Sequence, residues 1–222
     1  RRPLVRRRNG FEPVGWDDIV YGHIEKRHVD MDDWIMLRPD GIPTYNFGAA
    51  IDDLTMAITH VARGDDHINN TPPQIAVFRA LAAEHPEFAH LPMILGPDGQ
   101  KLSKRHGAVS VMQYRDDGFL PHALLNYLVR LGWSHGDQEI FSPQEMIELF
   151  DIGDVNKAAS RFDVTKLSWL NQHYLKTDEP QAIAPEFEYQ LQLAGIDYSK
   201  GPAPADVIVA LRDRVQTLKE MA

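Results

Sequence analysis

The chain has 222 residues, of which 43% are hydrophobic and 25% are charged, as is usual for a globular protein with one large domain or two small ones. It contains no cysteine, which excludes disulfides and cysteine-bound zinc and fits a cytoplasmic protein. No apolar run is long enough to span a bilayer, so no membrane partner is expected. The formal net charge of −9 argues against binding nucleic acid through the overall field, although basic residues cluster near the amino terminus and at residues 101–105.

The first half of the chain predicts strands around one helix. Residues 1–34 alternate short apolar runs with turn residues, which indicates small strands, and an apolar strand follows at 32–37. A β-branched strand is predicted at 58–63 and an apolar strand at 88–95, with a helix between them.

The helix between these strands has a clear start signal. Thr71 is predicted to be its N-cap and Pro72 its first residue. A strand, a helix and a strand in this order predict two parallel strands. Arg63, Asp66 and the loop at 101–105 should then lie beyond the carboxyl ends of strands, where open parallel sheets bind ligands.

After Gly107 the pattern becomes helical. Pro121 opens a predicted helix that ends at Gly132, and Ser142 with Glu145 predicts a capping box at the start of another. The predicted apolar stripe of the first of these helices consists of Leu124, Leu125, Leu128 and Leu131. Further helices are predicted up to the carboxyl end, with a proline-rich connection at 201–204.

The most informative stretch is Lys-Leu-Ser-Lys-Arg at 101–105, which follows an apolar strand and a glycine turn. Two ammonium groups on a loop at the end of a strand can close over a phosphate chain when pyrophosphate leaves. Without that context, a solvated basic turn is the simpler interpretation.

This loop resembles the KMSKS signature loop of class I aminoacyl-tRNA synthetases, in the KLSKR form typical of glutamyl-tRNA synthetases. Residues 43–72 resemble the glutamate-specific half-site of that family in order and spacing, and residues 118–134 resemble the helix after the loop. The resemblance covers most of the chain and thins at both ends. It implies an α/β fold: the second half of a Rossmann-type parallel sheet, then an α-helical stem-contact region, then the start of a helical anticodon-binding domain.

The resemblance also implies roles for individual residues. The ammonium groups of Lys104 and Lys101 would be catalytic, because they meet the ATP phosphates as charge develops on the pyrophosphate. ATP would be bound by Asp66 and by the loop residues Lys101, Leu102, Ser103, Lys104 and Arg105. Glutamate would be bound by Tyr45 and Arg63.

Each of these roles has a plainer alternative. A guanidinium at a strand end is a natural bidentate partner for a carboxylate, but Arg63 could equally form a structural salt bridge to Asp65 or Asp66. Tyr45 could simply pack. The run of Asp65, Asp66 and His67 invites a metal-site interpretation, but adjacent side chains at a strand end point in opposite directions, so no protein metal site is predicted.

One expected motif is missing. Class I synthetases carry a HIGH-type tetrapeptide, and the closest runs here, at 23–25 and 67–69, lack its glycine. The chain is therefore predicted to be a central fragment of a longer enzyme and to be inactive alone. The predicted domains are the end of an acceptor-stem domain at 1–34, the nucleotide-binding half-domain at 35–110, the stem-contact region at 111–180 and the start of the anticodon-binding domain at 181–222.

The activity implied is that of a glutamate–tRNA ligase, which activates L-glutamate with ATP and its accompanying Mg2+ and transfers it to tRNA(Glu). The parent enzyme is expected to be monomeric. One alternative is a glutamyl-Q tRNA(Asp) synthetase-like paralogue, which glutamylates a tRNA base but lacks the long helical tail seen here. The others are a non-catalytic tRNA-binding module and a different nucleotidyltransferase on the same fold.

Overall fold

The computed structural model describes residues 5–7, 12–103 and 110–222. The chain divides into two compact units. The sheet unit holds the described part of Arg1–Met93 together with Asp151–Lys157, and the helical unit holds Ile94–Phe150 and Ala158–Ala222. A sheet with parallel strands and many helices confirm the predicted α/β class.

Up to Met93, the described residues of the sheet unit form six β-strands and two α-helices. In order they are β1 (Val5–Arg7), β2 (Val14–Asp18), β3 (Gly22–Lys26), β4 (Trp34–Leu37), α1 (Tyr45–Thr55), β5 (His60–Gly64), α2 (Thr71–Ala80) and β6 (Glu87–Leu91). A four-stranded sheet has the order β3-β2-β6-β5, and β1 pairs separately with β4. Short 3-10 helices occupy His28–Asp30 and Asp65–Asn70.

The predicted strand–helix–strand unit is confirmed, because β5 and β6 are parallel and α2 connects them. Their register places Arg63 opposite His90. On the other side of β6, β2 runs parallel and Asp18 lies opposite Phe88. The carboxyl ends of these three strands therefore meet at one edge of the sheet.

Two predictions about this unit are wrong in detail. Helix α2 begins at Thr71 itself, so Thr71 is not the N-cap. Its hydroxyl accepts from the guanidinium of Arg63. The apolar run at 88–95 is not one strand, because Pro92 lacks the N–H that a ladder needs and β6 ends at Leu91.

Two apolar clusters hold helix α2 in the sheet unit, one against the sheet and one against α1. Ile75 of α2 packs with Val14, Trp16 and Phe88 of the sheet. A separate cluster forms where α1 meets α2, from buried Ala50, Val77 and Phe78.

The returning segment, Asp151–Lys157, completes the sheet unit. Buried Val155 packs against Val20 and Ala89. The Nζ of Lys157 donates to the carbonyl of Tyr21 over 3.2 Å, and the hydroxyl oxygen of Tyr21 lies 3.2 Å from the carbonyl oxygen of Lys157.

In its described residues, 94–103, 110–150 and 158–222, the helical unit is built mainly from seven α-helices. Its elements are β7 (Ile94–Leu95), α3 (Val111–Asp116), α4 (Pro121–Gly132), α5 (Pro143–Leu149), β8 (Ser160–Arg161), α6 (Val164–Thr177), α7 (Pro180–Leu193), α8 (Pro204–Leu211) and α9 (Leu218–Met221). β7 and β8 pair in parallel. The predicted helix from Pro121 to Gly132 is confirmed. The predicted connection at 201–204 lies between α7 and α8, except that Pro204 is already the first residue of α8.

The buried face of α4 differs from the predicted stripe. Leu124 is buried with Ala123 and Tyr127, whereas Leu125 is 49% and Leu128 36% exposed. A residue next to Leu124 is turned about 100° away from it, which accounts for the exposure of Leu125. Leu128, four residues after Leu124, shares its face of the helix and is nevertheless exposed.

The predicted capping box at the start of α5 is confirmed. The N–H of Glu145 donates to the Ser142 hydroxyl over 3.2 Å, and the N–H of Ser142 donates to the Glu145 carboxylate over 2.7 Å. In the part of the chain that the structure describes, no helix is long and apolar enough to cross a membrane.

Candidate substrate-binding site around Arg63

Arg63 stands next to the last residue of β5, half-buried, and its guanidinium is held at all three nitrogens. Nε donates to Nε2 of His90 over 3.1 Å, Nη1 to Oε1 of Gln74 over 2.9 Å, and Nη2 to Oγ1 of Thr71 over 2.8 Å. The parallel register supplies His90, and the first turn of α2 supplies Thr71 and Gln74. All three acceptors are buried.

A buried carboxylate stands behind His90. Oδ2 of Asp18 lies 2.5 Å from Nδ1 of His90, and both side chains are fully buried. The other oxygen, Oδ1, accepts backbone N–H groups from Val20 at 3.1 Å, Tyr21 at 3.0 Å and His90 at 3.2 Å.

These contacts assign the tautomer of His90. An ionised carboxylate can only accept, so Nδ1 of His90 carries the proton. Nε2 then carries a lone pair and no proton, so it accepts from Nε of Arg63 and from the Thr71 hydroxyl, which lies 3.2 Å away.

The electrostatics agree with that assignment. Burial lowers the pKa of His90, and this outweighs the opposite effect of Asp18, so the imidazole is neutral. Burial raises the pKa of Asp18, but the hydrogen bonds from His90 and from two backbone N–H groups outweigh it, so the pKa lies below its ordinary value. The pair is therefore a carboxylate and a neutral ring.

Arg63 itself carries a charge in a partly dry environment. Burial lowers its pKa, and a hydrogen bond with Tyr45 and the charges of Asp53 and Asp18 act in the other direction. An arginine remains protonated under such shifts. The half-buried guanidinium is therefore a cation fixed in place by neutral acceptors.

Tyr45 lies beside Arg63, as the sequence predicts for a shared site. It opens α1, its side chain is 58% exposed, and its ring centroid lies 5.9 Å from that of His67. An exposed phenol next to a fixed guanidinium can contact a ligand, and the role of Tyr45 stays a prediction.

The acidic pair after β5 is arranged differently from the prediction. Asp65 and Asp66 begin a 3-10 helix and do not continue the strand. The Asp65 carboxylate accepts from the Tyr21 hydroxyl over 3.0 Å, and burial together with this bond raises the pKa of Tyr21 to about 12. Asp66 folds back over Gly64, where an added Cβ would lie 2.6 Å from its Oδ1.

A metal centre finds no support in the residues that are described. Among 12–103 and 110–222, no group of three or more His, Cys, Asp or Glu side chains could hold a metal ion.

The start of the signature loop is a hairpin of the helical unit. The N–H of Gly96 donates to the carbonyl of Gln100 over 2.7 Å, the N–H of Leu102 donates to the carbonyl of Ile94 over 2.9 Å, and Gly99 takes a φ of 75°. Lys101 is exposed, and Leu102 and Ser103 are partly exposed. Lys104 and Arg105 lie outside the described residues.

Four residues of the site were not found from the sequence: Asp18, Thr71, Gln74 and His90. Two signals were present. His90 is a polar residue in an apolar run, and Thr71 stands at a helix start, where its hydroxyl is easily taken for a cap.

Known proteins similar to this chain agree on one family. The family described as tRNA synthetases class I (E and Q), catalytic domain, matches residues 2–169. A glutamate–tRNA ligase from Xanthomonas campestris is 63% identical over 94% of this chain and 45% of its own length, and one from Xanthomonas oryzae is 61% identical over 95% and 46%. The chain thus spans about half the length of the curated relatives it matches.

Two solved structures are similar over nearly the whole chain. The glutamate tRNA ligase from Elizabethkingia meningosepticum, solved in complex with its amino acid, gives a TM-score of 0.83 at 34% identity, covering 98% of this chain and 47% of that one. The glutamate-tRNA synthetase from Elizabethkingia anophelis gives 0.82 at 34% identity, covering 98% and 48%.

Proposed function

Since the chain belongs to the catalytic-domain family of the class I tRNA synthetases for glutamate and glutamine, we propose that it is the central part of a glutamate–tRNA ligase. The complete enzyme would activate L-glutamate with ATP and transfer it to tRNA(Glu). The relatives that bear this name at 61–63% identity support the proposal.

The arrangement of Arg63 is the observation that carries the proposal. A guanidinium has five N–H groups, and three of them make the bonds to His90, Gln74 and Thr71. Two are left for Tyr45 and a substrate oxygen. Because the three acceptors are neutral, the positive charge favours an anionic ligand such as the side-chain carboxylate of glutamate.

ATP would be bound at the signature loop and at Asp66, as the resemblance to the family implies. Lys104 and Lys101 would stabilise the charge that develops on the departing pyrophosphate, with Leu102, Ser103 and Arg105 lining the nucleotide. Mg2+ would enter with ATP. A preorganised donor of this kind is typically worth about 3 kcal/mol in the transition state.

The remaining assignments follow from the same proposal. The enzyme would act in the cytoplasm as a monomer, and the four domain ranges predicted from the sequence stay a prediction. A glutamyl-Q tRNA(Asp) synthetase is less well supported, since the similar curated proteins bear the name glutamate–tRNA ligase.

The test uses the full-length ligase that contains this chain, purified and supplied with glutamate, ATP and tRNA(Glu). We expect glutamate to appear as an ester at the 3′ end of the tRNA. Glutamate found on a tRNA base would favour the paralogue, and tRNA binding without any product would favour a non-catalytic module.

The lysine role is tested by Lys104→Ala, with Lys200→Ala as the matched control on the exposed surface. Lys104→Ala should slow pyrophosphate exchange by about 10²- to 10³-fold and leave tRNA affinity nearly unchanged, whereas Lys200→Ala should change neither. Equal losses in exchange and in tRNA binding would contradict the catalytic role.

A further inference from the structure

We propose that Asp18 and His90 form a positioning relay, which fixes Arg63 for a substrate carboxylate without neutralising its charge. The inference rests on the proposed function, because it takes the side chain of glutamate as the ligand of Arg63. Neither residue touches that ligand, so their effect is exerted through the guanidinium.

The relay has a defined direction. Three backbone N–H groups hold Oδ1 of Asp18, so the carboxylate cannot turn. Its Oδ2 accepts a hydrogen bond from Nδ1–H of His90 at 2.5 Å, and Nε2 on the opposite side of the ring accepts from Nε–H of Arg63 at 3.1 Å. A rigid turn of backbone thus orients a guanidinium two strands away in the sheet.

The imidazole separates two charges that would otherwise pair. A carboxylate placed directly against Arg63 would form a buried ion pair, and a substrate carboxylate would then have to compete with it. A neutral ring accepts from Nε and adds no charge. The buried amide of Gln74 and hydroxyl of Thr71 follow the same rule at Nη1 and Nη2.

This arrangement would favour glutamate over glutamine. A substrate carboxylate forms an ion pair with a guanidinium whose three fixed acceptors are all neutral, whereas a substrate amide brings no charge and gains a weaker hydrogen bond. Removing the relay should therefore weaken glutamate binding, and adding a negative charge beside Arg63 should reduce the preference for glutamate.

Two substitutions of His90 separate positioning from simple space filling. The amide nitrogen of His90→Asn can replace Nδ1 and donate to Asp18, but nothing replaces Nε2. The amide oxygen of His90→Gln can replace Nε2 as the acceptor for Arg63 and loses the bond to Asp18.

In the full-length ligase, we expect His90→Asn to raise the KM for glutamate by roughly 10- to 100-fold, because one hydrogen bond to a charged group is lost. His90→Gln should restore most of this affinity, and neither variant should change the KM for ATP. If the histidine only fills space and satisfies Asp18, the asparagine variant will be the better one or the two will be equal, and the relay is refuted.

A second variant tests the charge and leaves the relay untouched. Gln74→Glu would place a carboxylate 2.9 Å from Nη1, and Gln74→Met removes the same acceptor without adding charge. We expect Gln74→Glu to reduce the ratio of glutamine Ki to glutamate KM by roughly tenfold or more, and Gln74→Met to leave that ratio nearly constant.

The outcomes separate the two proposals. A native enzyme that forms no glutamyl-tRNA contradicts the proposed function. An active native enzyme in which Gln74→Glu keeps its full preference for glutamate contradicts this inference, even if both His90 variants fail to fold.

Discussion

Asp18→Asn should reverse the tautomer of His90 without changing the shape of the site. The amide oxygen can still accept from the backbone N–H groups that now bind Oδ1. The amide nitrogen then faces Nδ1 of His90 with hydrogens, so Nδ1 must become the acceptor and Nε2 must carry the proton. Two N–H groups, one from His90 and one from Nε of Arg63, would point at each other across 3.1 Å.

The size of the effect follows from the contacts of Arg63. One of its three fixed bonds is lost, while those to Gln74 and Thr71 remain. A hydrogen bond to a charged group contributes about 1.5–3 kcal/mol, so glutamate binding should weaken by about 10- to 100-fold and not disappear.

The control is Asp17→Asn, one residue away. Asp17 also contacts an imidazole, that of His23 at 2.8 Å, but its side chain is 90% exposed. Water can replace that contact, so the KM for glutamate should stay at its native value.

The assay combines glutamate kinetics of the full-length ligase with ¹⁵N NMR of histidine, where His90→Gln identifies the signal of His90. We expect a protonated Nδ1 in the native protein and a protonated Nε2 in Asp18→Asn. A variant that keeps both the native tautomer and the native KM would show that Asp18 does not act through the ring.

Three further predictions concern stability, measured by urea unfolding. Gly118→Ala should lower the free energy of unfolding by about 1–3 kcal/mol more than Gly136→Ala does. Both glycines have a positive φ, but only an added Cβ at Gly118 would clash with backbone, 2.4 Å from the nitrogen of Lys219. Equal losses would contradict this packing. Ser142→Ala should lower the free energy of unfolding by about 1 kcal/mol through the capping box, and no loss would mean that the box is not formed in solution. Burial lowers the pKa of His90, so as the pH falls through about 6.5 the unfolded chain binds a proton that the folded chain does not. The free energy of unfolding should therefore decline below that pH, and the decline should be smaller in His90→Gln.

Sequence patterns predicted the local parts of this fold well. The strand–helix–strand unit and the capping box depend on residues close together in the chain, and both are confirmed. The face of α4 was harder, because the leucine pattern included Leu125 and Leu128, which are exposed, and left out Ala123 and Tyr127, which are buried.

The site was predicted only in part, for a physical reason. Arg63 and Tyr45 could be named from a motif, and the structure places them side by side, although their roles stay predictions. Asp18 and His90 are 72 residues apart and meet only because β2 and β6 are neighbours in the sheet. A periodicity argument does not contain that register, so the polar support of Arg63 becomes visible only in three dimensions.

The way the sheet unit is assembled along the chain has a consequence for its synthesis. Val155 covers Val20 and Ala89, yet it comes from the segment Asp151–Lys157, after 57 residues of the other unit (94–150) have been made. During synthesis, the apolar surface at Val20 and Ala89 therefore stays uncovered until residue 157 has emerged from the ribosome. A gene truncated at Met93 would yield every strand of the four-stranded sheet without the segment Asp151–Lys157 that covers Val20 and Ala89. We expect such a product to bind chaperones or to aggregate.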